Sequence, residues 1–194
     1  TIEDVVIYGN LSTTMLMIDQ SNAILNRISI VQNEIANSIF GSWLINLNET
    51  SSILSNFTIT ENIVDGGDDT FGSLFFVIDN LTTNNPPLMY NSIIWNNQLN
   101  SFKSLLSVSN ITANFSNISL GNENEENLGE SNINTDPLFV NPEEIFINQD
   151  LTLQSNSPCI NSGTADWYGN GSIDIADYDG SAPDMGAYEF ICAT

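Results

Sequence analysis

Five segments of the chain share one pattern, a short apolar strand running into a polar corner: VVIYGN at 5–10, RISIVQN at 27–33, FTITEN at 57–62, SIIWNN at 92–97 and ISLGNE at 118–123. Ile7, Ile30, Ile59, Ile94 and Leu120 hold the same place in each, 23, 29, 35 and 26 residues apart. A second set lies between them: MLMID at 15–19, SWLINLN at 42–48, LFFVIDN at 74–80 and LLSVSN at 105–110. From its anchors Ile18, Leu47, Ile78 and Val108 the next first-set anchor lies 12, 12, 16 and 12 residues on. The long interval holds NNPP at 84–87, residues that make turns, so insertions are confined to the joints of an internal repeat.

A repeat of 20 to 35 residues built of short strands, with almost no helical periodicity, predicts an all-β solenoid. One unit cannot bury its own inward residues; stacked units place Ile7, Ile30, Ile59, Ile94 and Leu120 in one interior column, each worth roughly 1.5–3 kcal/mol on burial. The asparagines that follow, Asn10, Asn33, Asn62 and Asn97, then share a corner, where they are expected to take the left-handed backbone and stack their amides as a ladder.

The repeat, and the NSIIWNN turn at 91–97 in particular, resembles the right-handed parallel β-helix of the pectate-lyase and chondroitinase type. The tail is similar to the end of many bacterial surface β-helix proteins, in which a DPLFVNP segment (136–142) precedes SPCINSG (157–163) and a closing DMGAYEF (184–190). The resemblance implies about five coils over residues 1–135. The last coil and a C-terminal cap follow over 136–194, with Phe139, Tyr188 and Phe190 available to cover an open end. It is specific for fold and weak for activity, because this architecture hosts lyases, hydrolases, adhesins and inert stalks alike.

Charge narrows the partners. The net charge of −22 arises from 24 acids facing only Arg27 and Lys103. Such a surface repels nucleic acid, whose phosphates need lysine or arginine. No apolar run is long enough to span a membrane. The chain opens at Thr1 without a signal pattern, as a processed chain or a piece of a longer one does. An extracellular or cell-surface setting is expected, with a polysaccharide or glycan surface, or further copies of the chain, as partner.

Calcium is the cofactor to weigh. DWYGNGSIDIAD at 166–177 places Asp166, Asn170, Gly171, Ile173, Asp174 and Asp177 as a twelve-residue calcium loop would, with Asp179 or Asp184 to complete the shell and Tyr168 out of place. It resembles a degenerate dockerin-type loop. Asp65, Asp68 and Asp69 form a second acidic joint, whose adjacent acids would diverge in an extended segment and read as a solvated loop.

Catalytic means are few. There is no histidine, and a serine without a base stays inert. A calcium-dependent lyase of the kind the resemblance implies needs a lysine or arginine base, and Arg27 and Lys103 lie 76 residues apart, hence coils apart. No catalytic residue is assigned; a polysaccharide lyase or glycoside hydrolase fragment stands as the rival. For carbohydrate binding without turnover, Trp43, Tyr90 and Trp95 offer flat faces, and Trp95, alternating with inward Ile94, points outward. Cys159 and Cys192 flank the tail and can form a disulfide in an oxidising compartment. Eight Asn-x-Ser/Thr sequons occur, among them Asn10, Asn48, Asn80 and Asn110, little more than composition predicts.

Overall fold

The computed structural model describes residues 1–36, 42–48, 50–65, 72–78, 86–99, 111–119, 128–142 and 148–191. These residues are all-β: they contain no helix, and their strands pair in parallel except for one hairpin. The chain visits three sheets in turn and then begins again. Ile2–Tyr8 (β1), Leu11–Ser12 (β2) and Thr14–Asp19 (β3) make the first circuit, Ile24–Val31 (β4), Glu34–Ile35 (β5) and Ser42–Asn48 (β6) the second, and Ile53–Thr60 (β7), Ile63–Val64 (β8) and Gly72–Ile78 (β9) the third. Leu88–Tyr90 (β10), Ile93–Trp95 (β11) and Gln98–Leu99 (β12) belong to the fourth, and Thr112–Asn114 (β13) with Asn117–Ile118 (β14) to the fifth. Sheet A runs β1-β4-β7-β10-β13, with β11 joining β7 to β14; sheet B runs β2-β5-β8-β12 and sheet C β3-β6-β9.

Register carries the expected inward column. Ile7 pairs Ile30, Ile30 pairs Ile59 and Ile59 pairs Ile94. The fifth member is Ile118, two residues before the expected Leu120, which lies outside the described residues. In sheet C Ile18 pairs Leu47 as expected, but Leu47 meets Val77 rather than Ile78. Both slips come from judging register by apolar character where a second apolar residue stands one or two positions away. Ile28, Ile30, Ile45, Leu47, Phe57, Ile59 and Ile94 are at most 2% exposed and form one core.

The asparagine corner holds a ladder, with one change of role. Asn33 Oδ1 accepts the backbone and side-chain N–H of Asn10 (3.0 and 3.1 Å), Asn62 Oδ1 those of Asn33 (3.0 and 3.0 Å), and Asn97 Oδ1 those of Asn62 (3.0 and 2.9 Å). The left-handed residues are the ones before them: Gly9, Gln32, Glu61 and Asn96, at φ 62°, 50°, 55° and 51°. The turn is made one residue early, which frees each asparagine side chain to reach along the stack.

A second left-handed column runs through sheet A, at Asp4, Arg27, Asn56, Asn91 and Phe115, with φ of 57°, 53°, 53°, 50° and 48°. Each bends its strand in register with the next and turns its side chain out of the alternation. Three of them anchor the tail, as described below.

The tail is where the fold departs most from expectation. Strand β7 is buried at all eight positions, so both its faces are covered. Its inner face meets the core; its outer face meets residues 136–191. Phe139 on β15 (Phe139–Asn141) and Leu151 and Leu153 on β16 (Asp150–Leu153) pack with Cys159 and Met185 on outward Val31 and Ile93, and Trp95, Tyr8 and Tyr188 lie against the same cluster. The described tail is laid across the side of sheet A, from the fifth circuit back toward the first.

Candidate functional site

The tail and the outer face of sheet A together hold most residues the sequence singles out. Asn91, fully buried in the second left-handed column, is the main anchor. Its Nδ2 donates to Thr164 O (2.8 Å), its Oδ1 accepts Thr164 N–H (2.7 Å), and its own carbonyl accepts Gly186 N–H (2.7 Å). Asn56 Nδ2 donates to Asp184 O (3.2 Å), and Thr58 Oγ1 accepts Ala187 N–H (2.9 Å). Ser29 Oγ donates to Tyr188 Oη (3.2 Å). Each contact joins the irregular tail to sheet A or to the bend at Asn91 between β10 and β11.

The DMGAYEF run is legible on this geometry. Asp184, 1% exposed, accepts the N–H of Asn161 (2.7 Å) and of Phe190 (2.6 Å), while its own N–H donates to Glu189 Oε1 (3.1 Å). Gly186 has φ 102°, and a Cβ there would stand 2.9 Å from Ile93 Cδ1. The run is a clip that fastens the tail to sheet A. Sequence reading gives Asp184 only as a spare calcium ligand; Asn91 and Gly186 escape it because they meet each other across 95 residues, and Glu189, whose partners Asp184 and Asp179 are near in sequence, escapes it because the run has no period.

Burial, the charge of Asp184 and then that of Asp177 push Glu189 up to about 7, against the lowering effect of the Asp184 and Asp179 amides, and burial also raises Asp184. A carboxyl whose folded value is raised holds its proton more tightly in the native state, so its contribution favours folding below the ordinary glutamate range and is lost as pH rises toward 7. Stability in urea is therefore expected to fall between pH 5 and pH 8. Glu189→Gln, which keeps an acceptor for both amides, is expected to raise the midpoint at pH 8, leave it nearly unchanged at pH 5 and flatten the profile; an unaltered profile would remove Glu189 as its cause.

The expected calcium ligands make contacts within the chain. Asp166 accepts Asn170 N–H (3.1 Å) and Gly171 N–H (2.7 Å), and those amides, Gly171 first, hold its carboxyl below the usual range. Asp174 Oδ2 accepts Trp167 N–H (2.8 Å) and Asn170 Oδ1 accepts Ser172 N–H (2.8 Å). Asp177 reaches Arg27 at 3.8 Å, and the Asp179 amide donates to Glu189. Among the described residues no three acids or cysteines gather as metal ligands. Asp65 lies just after β8, while Asp68 and Asp69 are outside the described residues.

Arg27 is fully engaged. Nε donates to Asp4 Oδ1 (2.6 Å), and Nη2 to Asp4 Oδ2 (3.1 Å) and Glu3 Oε2 (3.4 Å). Such a bidentate pair holds a guanidinium in its charged form, the wrong state for a base. Lys103 lies outside the described residues.

The aromatic faces are mostly covered. Tyr90, 6% exposed, stacks on Trp167, 8% exposed, with centroids 6.3 Å apart and planes 20° from parallel. Trp95 does leave the core, as alternation requires, only to meet the Phe139 cluster. Trp43 is half-buried on β6, and Tyr168 is 58% exposed. Cys159 is a buried free thiol accepting from Asn117 Nδ2 (3.1 Å), and burial pushes its pKa up; Cys192 lies outside the described residues.

Of the sequons, Asn56 and Asn117 are buried, Asn10 is committed to the ladder and Asn48 Nδ2 donates to Asp19. Asn170 is exposed; Asn80 and Asn110 are outside the described residues.

Comparison with protein-family models, with curated proteins and with solved structures found no match for this chain.

Proposed function

We propose that the chain is a right-handed parallel β-helix of about five coils that acts outside the cell as a non-catalytic structural or adhesive module. The observation that carries this reading is the employment of its reactive groups: Arg27, Asp166, Asp174, Asp184 and Glu189 are all bound to other parts of the same chain. Parallel stacking in three sheets, with an amide ladder along one corner, suits a stiff body, and the acidic surface suits saline surroundings. Among the described residues no helix is long and apolar enough to cross a membrane. A carbohydrate-binding reading is weaker, because Tyr90 and Trp167 are stacked on each other and Tyr168 is the exposed ring beside them.

Incubation with acidic and neutral polysaccharides, in calcium and in chelator, is expected to release neither unsaturated products nor new reducing ends. Cleavage in calcium that stops in chelator would overturn the reading in favour of a lyase or hydrolase. The same pair of solutions tests the metal: a calcium-dependent rise in thermal stability would assign an ion to the tail, and identical melting would remove it.

A further inference from the structure

An Asn-x-Ser/Thr sequon can carry a glycan in a folded chain only where the asparagine Nδ2 has a hydrogen to give up and where it and the hydroxyl two residues on are open to water. Most described sequons of this chain fail one or both conditions. Asn56 Nδ2 donates to Asp184 O, Asn117 Nδ2 to Thr135 O (2.6 Å) and Cys159 Sγ (3.1 Å), and both residues are buried. Asn10 Nδ2 donates to Tyr8 O (2.9 Å) and Asn33 Oδ1, and Asn48 Nδ2 to Asp19. Hydroxyls are engaged as well. Ser116, two residues after Asn114, is fully buried and donates to Asn114 O (2.9 Å); Thr50, two after Asn48, is 4% exposed and donates to Ser21 O.

Asn170-Gly171-Ser172 is built the other way round. Every residue from 168 to 174 is exposed, and neither Asn170 Nδ2 nor Ser172 Oγ bonds any described residue. Asn170 contributes to the loop through its Oδ1, which accepts Ser172 N–H, and its backbone N–H, which donates to Asp166 Oδ1. A sugar on Nδ2 leaves both bonds intact. The space is open too: Gly169 and Gly171 stand on either side of Asn170, and a Cβ at either would meet nothing within 4 Å. The base of the loop is fixed separately, by Asp174 N–H on Ala165 O (2.7 Å), Trp167 N–H on Asp174 Oδ2 and the seating of Trp167 on Tyr90. Tyr168 and Ile173, 58% and 69% exposed, are the apolar residues of the run, and the C–H face of a sugar ring covers such surface.

We infer that Asn170 carries an N-linked oligosaccharide that shields Tyr168 and Ile173, an inference that rests on the extracellular reading, since only a chain on its way out of the cell meets the donor. That donor is an oligosaccharide joined through a diphosphate to a polyprenyl lipid. The Asn170 side-chain nitrogen attacks C1 of the first sugar; the N–C1 bond forms as the C1–O bond to the diphosphate breaks. The lipid diphosphate leaves with the electron pair, and the Nδ2 proton passes to a carboxylate of the transferase. Nothing is oxidised or reduced. The exposed Ser172 hydroxyl is the group by which the transferase selects this asparagine.

The whole chain, secreted from a eukaryotic cell behind a cleavable leader, tests this when its peptides are mapped after enzymatic glycan removal in heavy-oxygen water, which marks each formerly glycosylated asparagine. Asn170 is expected to be marked in most folded molecules in the medium, and Asn56 and Asn117 in none. Ser172→Ala should remove the Asn170 mark entirely. Because the Ser172 hydroxyl takes part in no bond of the fold, this variant and the deglycosylated parent should melt at the same temperature. Chymotrypsin should cut after Tyr168 several-fold more slowly in the glycosylated parent than in Ser172→Ala. Folded chain in the medium with Asn170 unmarked, or equal cleavage of the two proteins, would overturn the inference alone. A chain that neither folds nor leaves the cell, as parent or as Ser172→Ala, would defeat the extracellular reading and the inference with it.

Discussion

Asn62→Ala is expected to destabilise the chain by about 3–5 kcal/mol, because it strands several buried partners that each cost roughly 1–3 kcal/mol when left unsatisfied. Asn62 is fully buried. Its Oδ1 takes two N–H groups of Asn33, and its Nδ2 donates to Ile30 O (2.8 Å), Thr60 O (3.0 Å) and Asn97 Oδ1 (2.9 Å). Asn10→Ala, at the exposed end of the same row, keeps its backbone N–H on Asn33 Oδ1 and should cost less than about 1 kcal/mol, as surface changes usually do. Urea unfolding of both variants checks the contrast. Equal losses would mean that the row is not a cooperative ladder.

Gly186→Ala is expected to cost about 2–5 kcal/mol, combining left-handed strain of about 1–3 kcal/mol with overpacking of similar size. The Cβ would sit 2.9 Å from Ile93 Cδ1 and 3.1 Å from Thr58 Oγ1, and both neighbours are held in the face that the tail covers. Gly169→Ala is the control. It has φ 62° with nothing within 4 Å, so it meets strain without a clash and should lose only about 1–2 kcal/mol. A Gly186 variant no worse than the Gly169 variant would show that the tail yields at this point.

These two sites mark where sequence reading succeeds and where it stops. The ladder was legible because Asn10, Asn33, Asn62 and Asn97 recur at one place in a repeat, and position in a repeat translates directly into position in a stack. Even there the left-handed residue stands one position before the asparagine, since asparagine is so good at that conformation that it hides a Gln32 or Glu61 made to adopt it by its neighbours. The tail was not legible in the same way. Residues 136–191 have no period, and their partners lie far away: Tyr188 bonds Ser29 across 159 residues, and Ala187 bonds Thr58 across 129. The only local hint was that Thr58, Thr60, Ile93 and Trp95 make an outward face too apolar and too uncharged for water.

In the acidic loop one spacing serves two ends. Asp166, Asn170 and Asp174 stand at calcium-loop spacing, but the same spacing lets a carboxylate gather the amides of a tight turn. Spacing alone does not separate the two uses. The backbone at Gly169 and Gly171, both left-handed, turns the amides toward Asp166.

The tail lies against sheet A, and residue-resolved hydrogen exchange under native conditions tests that placement most directly. Gly186, Ala187 and Phe190 belong to no strand, yet their amides are bonded to Asn91 O, Thr58 Oγ1 and Asp184 Oδ2. They are predicted to exchange about as slowly as the amides of β4 and β7, and to lose that protection together in Gly186→Ala. Exchange of these three amides at the rate of an unstructured chain, with β4 and β7 still protected, would contradict it.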